Sequence, residues 1–181
     1  MGGPMSVNDN LPWIEPALAL IRTAFENDIP VLGHCLGGQL MAKALGATVH
    51  ANAVPEYGWL PVQIANNAVA CDWFGNSEME FDVFHWHGET FELPEGTTRV
   101  LGSEHCRNQA FVFGRSLAMQ CHIEMTAELV REWVDRADDD MLSPTASIQS
   151  RDDMLDDLDN KIATLQSSAD AVYKRWLKGL L

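Results

Sequence analysis

The stretch Ile29-Pro30-Val31-Leu32-Gly33-His34-Cys35-Leu36-Gly37 constrains the fold of this chain more than any other. It opens as a short apolar run after the turn-forming pair Asn27-Asp28. It ends where Leu36, Leu40, Met41, Ala44 and Leu45 begin to recur at helical spacing, with Gly46 as a stop. A buried run that passes directly into an amphipathic pattern predicts a strand, a sharp turn and a helix. Upstream, Asp9-Asn10-Leu11-Pro12 offers a helix cap and a first-turn proline, and Ile14, Ala17, Leu18, Ile21 and Phe25 predict a helix reaching Glu26.

Beyond Gly46 the pattern changes to short β-like pieces at Thr48-Val49, Leu60 to Ile64, Phe81 to Trp86, Thr98 to Leu101, Ala110 to Phe113 and Leu117 to Gln120. A helix is predicted to resume at Thr126, with Leu129, Val130, Trp133, Val134 and Ala137 on one side. This alternation predicts an α/β sandwich with a largely parallel sheet. Residues 1–138 form the expected domain, 139–150 an acidic and polar solvated linker, and 151–181 a C-terminal amphipathic helix. In that helix Leu155, Leu158, Ile162, Leu165, Ala169, Val172 and Trp176 make an apolar seam. Packing on its own domain is the expected use of the seam; a homodimeric coiled coil is the alternative, and only about three heptads are present for it.

Twelve basic and 26 acidic residues give a net charge of -14, which opposes binding to nucleic acid or to anionic membrane surfaces. No apolar run approaches the roughly 20 residues of a membrane span, and the first residues lack the pattern of a signal peptide, so a cytoplasmic location is expected. The four cysteines, Cys35, Cys71, Cys106 and Cys121, are widely spaced, which suggests free thiols rather than disulfides or a zinc site.

Gly33-His34-Cys35-Leu36-Gly37 has the form of a nucleophile elbow, in which glycines permit a tight strand-to-helix turn that presents a thiol at a helix N-terminus. There the helix dipole favours a thiolate and the Leu36 N–H faces a developing oxyanion. A purely structural turn is the competing reading. His122 and Glu124, two residues apart after a predicted strand, point to the same side and can act as base and orienter; a polar strand end is the alternative. His85, His87 and Glu89 also alternate. Without further ligands nearby they suggest a substrate-lining loop or buried structural histidines rather than a metal site.

In this order the motifs resemble the class I (triad) glutamine amidotransferases, in particular the stand-alone, GMP-synthase-like glutaminases. Gly2-Gly3-Pro4-Met5-Ser6 is similar to their G-G-P-x-S oxyanion turn, Gly33 to Gln39 to G-x-C-x-G-x-Q, His87-Gly88 to the H-G of the substrate loop, and His122-x-Glu124 to the terminal H-x-E. The resemblance implies a flavodoxin-like three-layer sandwich and hydrolysis of a γ-glutamyl amide through a thioester on Cys35. In that chemistry His122 is the acid/base, Glu124 its orienter, and Gly3 and Leu36 the oxyanion donors. Gln39 and the backbone around Trp86, His87 and Gly88 would hold the substrate. No cofactor or metal is implied; the implied partners are glutamine or a γ-glutamyl small molecule and an ammonia-accepting protein.

Two alternatives to the glutaminase are a γ-glutamyl peptide hydrolase with the same triad and a non-catalytic interaction subunit that uses the acidic tail helix. The chain departs from the family pattern in reading Gln120-Cys121-His122-Ile123-Glu124 where Q-F-H-P-E is usual. In the family a strand, a helix and a strand precede the G-G-P turn. The expectation is therefore an N-terminally truncated version of the fold: either its start is placed too far downstream, which is the favoured reading, or the chain is a remnant that leaves Gly3 too loose to serve the oxyanion.

Overall fold

The computed structural model describes residues 2–75 and 79–180. Helix α1 (Ile14–Glu26) leads through β1 (Leu32–His34) into α2 (Leu36–Ala44). The strands β2 (Val49–Ile64) and β3 (Glu80–Phe91) flank α3 (Ala68–Phe74), and β4 (Thr98–Gly102), β5 (Ala110–Phe113) and β6 (Ser116–Met119) complete one sheet. Three helices follow: α4 (Ala127–Arg136), α5 (Arg151–Leu155) and α6 (Leu158–Lys178).

The strand order is β1-β6-β5-β4-β2-β3. Among the described residues only β1 and β6 pair as parallel strands and the other four strand pairings are antiparallel, which corrects the expectation of a largely parallel sheet. The physical reason lies in the connections: after α2 the chain proceeds largely by antiparallel reversals, and a parallel pair needs a long crossover. The expected pieces at Thr48-Val49 and Leu60 to Ile64 belong to one 16-residue strand. Its ladder with β3 is irregular between Ala51 and Glu56, where Pro55 interrupts the sequence pattern.

Helices cover both faces of the sheet, giving three layers. Ile14, Leu18, Leu40 and Met41 from α1 and α2 pack with Val49, Phe91, Phe111 and Ala118 on one face. On the other, Val130 and Val134 of α4 and Leu158, Ile162, Leu165, Ala169 and Val172 of α6 pack on Trp59, Val62, Phe84 and Leu117. Burying side chains of this size stabilises by about 1.5–3 kcal/mol each, so the α6 seam is a major part of this core and is spent within the chain. The C-terminal helix is not continuous: Asp157 adopts a left-handed conformation (φ 48°), open to Asp at modest cost, and separates α5 from α6.

Residues 139–150, expected as a solvated linker, are exposed only in part. Leu142, Ser147 and Ile148 are buried, and Ile148 forms a parallel bridge to Tyr57. The Gln149 side chain accepts from Trp59 N at 2.8 Å and donates to Trp59 O at 2.9 Å. Gly58 makes room for it: φ is +110°, and a Cβ there would lie 2.6 Å from Gln149 Oε1. Two other local expectations differ. Asp9 accepts from Ser6 N at 2.9 Å instead of capping α1, whose first turn is entered through Trp13 without a side-chain cap. Helix α3 was not expected; Asn67 caps it by accepting from Ala70 N.

Candidate active site

Cys35 stands between β1 and α2 with φ 49° and ψ -113°, a conformation that non-glycine residues rarely adopt and that is kept only where surrounding contacts enforce it. Those contacts are visible. Cys35 N donates to Met119 O at 2.8 Å, and Gln39 N donates to Cys35 O at 2.9 Å. A Cβ on Gly33 would lie 2.5 Å from the Gly37 carbonyl carbon, and one on Gly38 would lie 2.5 Å from Met119 O. The glycines thus let the start of α2 fold back on β1 and lie against β6, presenting Cys35 at the helix N-terminus.

His122 follows β6 and is held beside β3 by reciprocal backbone bonds with Phe84 of 2.8 and 3.2 Å. Its ring is buried, meets Trp133 edge-on with centroids 5.0 Å apart, and directs Nδ1 to Glu124 Oε1 at 2.6 Å. That bond leaves Nε2 as the ring atom free for the thiol. Gly2 lies over both groups, since a Cβ there would be 2.9 Å from His122 Cε1 and 3.6 Å from Cys35 Cβ.

Burial opposes a charge on His122, but the Cys35 sulfur and the Glu124 carboxylate outweigh it and raise its pKa to about 10. Burial also opposes ionisation of Glu124; its contacts with His122 win and lower it to about 2. The arrangement favours an imidazolium held against a carboxylate.

The oxyanion candidates meet at this point. Leu36 opens α2, where first-turn N–H groups lack intrahelical acceptors, and Gly3 packs close enough that a Cβ would lie 3.1 Å from Leu36 Cδ2. Ser6 donates its hydroxyl hydrogen to Glu89 Oε1 at 2.9 Å, tying the Gly-Gly-Pro turn to the end of β3.

Two cavities adjoin Cys35. One of about 430 Å³ is bordered by Gln39, Tyr57, Trp86, His87, Gly88 and Glu89. The other, of about 390 Å³, lies on the His122 side and is bordered by Trp133, Arg136 and Met141.

The sequence-derived substrate residues divide by role. The Trp86 carbonyl faces Cys35 Sγ at 3.9 Å, whereas the Gln39 amide is buried and donates to Gln120 Oε1 at 3.1 Å. The His87 ring is buried away from the thiol, with Nε2 at 2.9 Å from Glu56 and Nδ1 at 2.9 Å from Glu89 O. Glu56 is fully buried and also accepts from Ser103 and Gln109, each at 2.7 Å. His85 lies in the same network, and burial lowers its pKa to about 3 against the pull of Glu56. Glu56, His87 and Cys106 bring metal-ligand atoms within 4.8 Å of one another. Both Glu56 oxygens are already engaged, and burial raises the Cys106 thiol to about 11, so the trio is built as a hydrogen-bonded support rather than a cation site.

Sequence reasoning did not single out His34, Gly38, Trp133 or Met141 for this site. Gly38 and His34 lie inside the elbow motif and could have been weighed there; Trp133 and Met141 carry no local signal.

The glutamine amidotransferase class-I family model matches residues 1–137, about three-quarters of the chain. The chain belongs to the class-I glutamine amidotransferase family. Its relatives include the glutamine amidotransferase-like protein YfeJ of Salmonella typhimurium, 30% identical over 71% of this chain and 56% of YfeJ. The glutamine-hydrolyzing GMP synthase of Bacillus velezensis is 41% identical over 60% of this chain and 20% of the synthase. The chain therefore spans about half or less of those relatives' own length.

Among solved structures, a glutamine amidotransferase from Methylobacillus flagellatus is 45% identical with a TM-score of 0.92, covering 100% of this chain and 75% of that one. One from Thermotoga maritima is 30% identical with a TM-score of 0.84, covering 97% and 75%. Among the described residues no helix is long and apolar enough to cross a membrane.

Proposed function

We propose that the chain hydrolyses a γ-glutamyl amide, as the glutaminase of an amidotransferase, through a thioester on Cys35. The observation that carries this reading is the strained, N-terminal placement of Cys35 beside a buried His122 that Glu124 holds at 2.6 Å. The Cys35 thiolate attacks the γ-carboxamide carbon. Gly3 and Leu36 N–H groups stabilise the oxyanion, and the leaving nitrogen takes a proton from His122. Water, deprotonated by His122, then attacks the thioester and releases glutamate and the thiolate. The cavity along Gln39 and Glu89 holds the glutamyl part, with the Glu89 carboxylate available to an α-ammonium group.

A second reading, hydrolysis of γ-glutamyl peptides with the same triad, is favoured by the cavity beside His122. The leaving nitrogen must sit on that side to be protonated, and about 390 Å³ is far more than ammonia needs. An ammonia-accepting partner is the corresponding proposal for the glutaminase reading, since one set of relatives is named as glutamine-hydrolyzing synthases. An interaction subunit that uses its acidic tail helix would have to bind through the exposed polar face of that helix, because the apolar seam faces the core.

The test is release of ammonia or amine from glutamine and from γ-glutamyl dipeptides by the chain, its Cys35→Ala and its His122→Ala variants. Loss of turnover in both folded variants is expected; wild-type rates in either would remove the proposal.

A further inference from the structure

The orienting carboxylate has a second oxygen, and the triad does not use it. Glu124 Oε1 accepts from His122, while Oε2 faces His34 Nδ1 at 3.2 Å. Among the described residues neither of these two buried atoms makes a hydrogen bond, so two unpaired polar atoms face each other at that distance. On its far side the His34 ring presents Nε2 to the Tyr173 hydroxyl of α6 at 3.3 Å, and the two rings meet edge-on. The groups therefore form one continuous line from the C-terminal helix to the thiol: Tyr173, His34, Glu124, His122, Cys35.

We propose that His34 is a positioning residue for the reaction assigned above: held by Tyr173, it donates Nδ1–H to Glu124 Oε2 and so fixes the carboxylate that orients His122. This rests on the γ-glutamyl amide reading of Cys35.

A neutral His34 that accepts the Tyr173 hydroxyl hydrogen at Nε2 carries its own ring hydrogen on Nδ1, facing Glu124 Oε2. Oε1 then accepts the Nδ1 hydrogen of His122 and leaves Nε2 for the thiol. Burial, the largest influence, lowers the His34 pKa, with Glu124 pulling it back up and His122 opposing, which favours a neutral ring with one hydrogen to place. Burial raises Tyr173, which keeps its hydroxyl protonated and able to donate.

Packing alone does not hold this carboxylate. Between α6 and the Glu124 segment lies a cavity of about 470 Å³, bordered by Glu124, Asp170 and Tyr173, into which the carboxylate could swing. His34 occupies the other side. A glutamate free to rotate would leave His122 without a fixed tautomer, and misplacement of an orienting group by about 1 Å is enough to cost roughly a hundred-fold in rate. The proposal also explains why a histidine is tolerated fully buried in the middle of a nucleophile elbow, at a position where an apolar residue would satisfy β1.

The test uses the full chain and its His34→Leu, His34→Asn and Tyr173→Phe variants. Asn keeps an N–H donor near the position of Nδ1, and Phe removes only a hydroxyl from a half-buried ring, so at least these two variants keep the fold. Two readouts are taken: steady-state kinetics on glutamine and γ-glutamyl dipeptides, and the pH profile of Cys35 alkylation by iodoacetamide. His34→Leu is expected to lower kcat about ten-fold with KM unchanged, the rate equivalent of one hydrogen bond to a charged group. Tyr173→Phe should lower it about three-fold, the smaller weight of a neutral hydrogen bond. Both should move the midpoint of Cys35 alkylation to higher pH, and His34→Asn should restore both readouts most of the way.

Unchanged kcat and alkylation profile in folded Tyr173→Phe and His34→Leu would overturn the proposal, as would an Asn variant no better than Leu. If the unaltered chain turned over neither substrate, the γ-glutamyl amide reading would fall. The alkylation profile would still decide whether His34 and Tyr173 set the state of the Cys35–His122 pair.

Discussion

Replacing Gly38 by alanine tests whether the elbow is held by the packing of α2 on β6. Gly38 is an interior residue of α2, where helix propensity alone predicts that alanine stabilises by about 0.8–1 kcal/mol. The structure predicts the opposite sign. The new Cβ would lie 2.5 Å from Met119 O and 3.1 Å from Met119 C and N. These are backbone atoms of a central strand, so no side chain can rotate away, and the helix itself must move. Overpacking of this kind costs about 1–3 kcal/mol, and in a chain of this size each kcal/mol lowers Tm by about 2–4 °C.

The functional cost of that substitution should exceed the thermal one. Cys35 is the residue immediately ahead of α2 and donates to the same Met119 carbonyl, while His122 follows Met119 by three positions. Pushing α2 off β6 therefore separates nucleophile and base, and a displacement near 1 Å costs roughly a hundred-fold in rate. Differential scanning fluorimetry together with turnover of a γ-glutamyl substrate measures both. A Gly38→Ala variant with raised Tm and native turnover would refute the argument, because propensity would then have outweighed the contact.

Two further outcomes follow from buried charge. Glu56→Leu should cost about 3–5 kcal/mol, since it strands Ser103, Gln109 and His87 in the core without their shared acceptor; denaturant unfolding with a midpoint close to that of the unaltered chain would contradict it. For pH, the signs differ between histidines. His34 and His85 have lowered folded pKa values, so their contribution is present above about pH 6.5 and is lost as pH falls, for His85 through about pH 3. His122 has a raised value, so its contribution is present below about pH 6.5 and is lost as pH rises through about 10. Thermal stability should therefore decline on both sides of neutrality, with His85→Gln flattening the acid limb. An unchanged acid limb in that variant would count against the burial argument.

What was legible in the sequence was the local code. The change of period at Cys35 marks strand, turn and helix because each side has its own repeat and the glycines between have no other use. The helix resuming at Thr126 was legible from its amphipathic run, and in the structure Thr126 caps it by accepting from Leu129 N. The sheet's pairing was not legible. The alternation of strand-like and helix-like pieces is the same whether strands pair by crossover or by hairpin, and the long β2 was hidden behind Pro55 and a run of small and polar residues.

The polar support was equally hidden. Glu56 and Gln109 are separated by 53 residues and meet only because β2, β3 and the loop before β5 converge. Tyr173 and His34 are 139 residues apart. Residues 139–150 look solvated by composition, yet Leu142, Ile148 and Gln149 tie them to the sheet through contacts that no spacing rule encodes.

The central claim is that Cys35 is the thiol on which a γ-glutamyl group is carried, and it is tested most directly by mass spectrometry after brief exposure to an electrophilic glutamine analogue. Cys71, Cys106 and Cys121 serve as internal controls, with Cys106 and Cys121 buried and their thiols held protonated by desolvation. The account predicts a single adduct on Cys35, suppressed by excess glutamine or a γ-glutamyl peptide and absent from His122→Ala. Labelling spread over several cysteines, or an adduct on Cys35 that neither competitor suppresses, would contradict it.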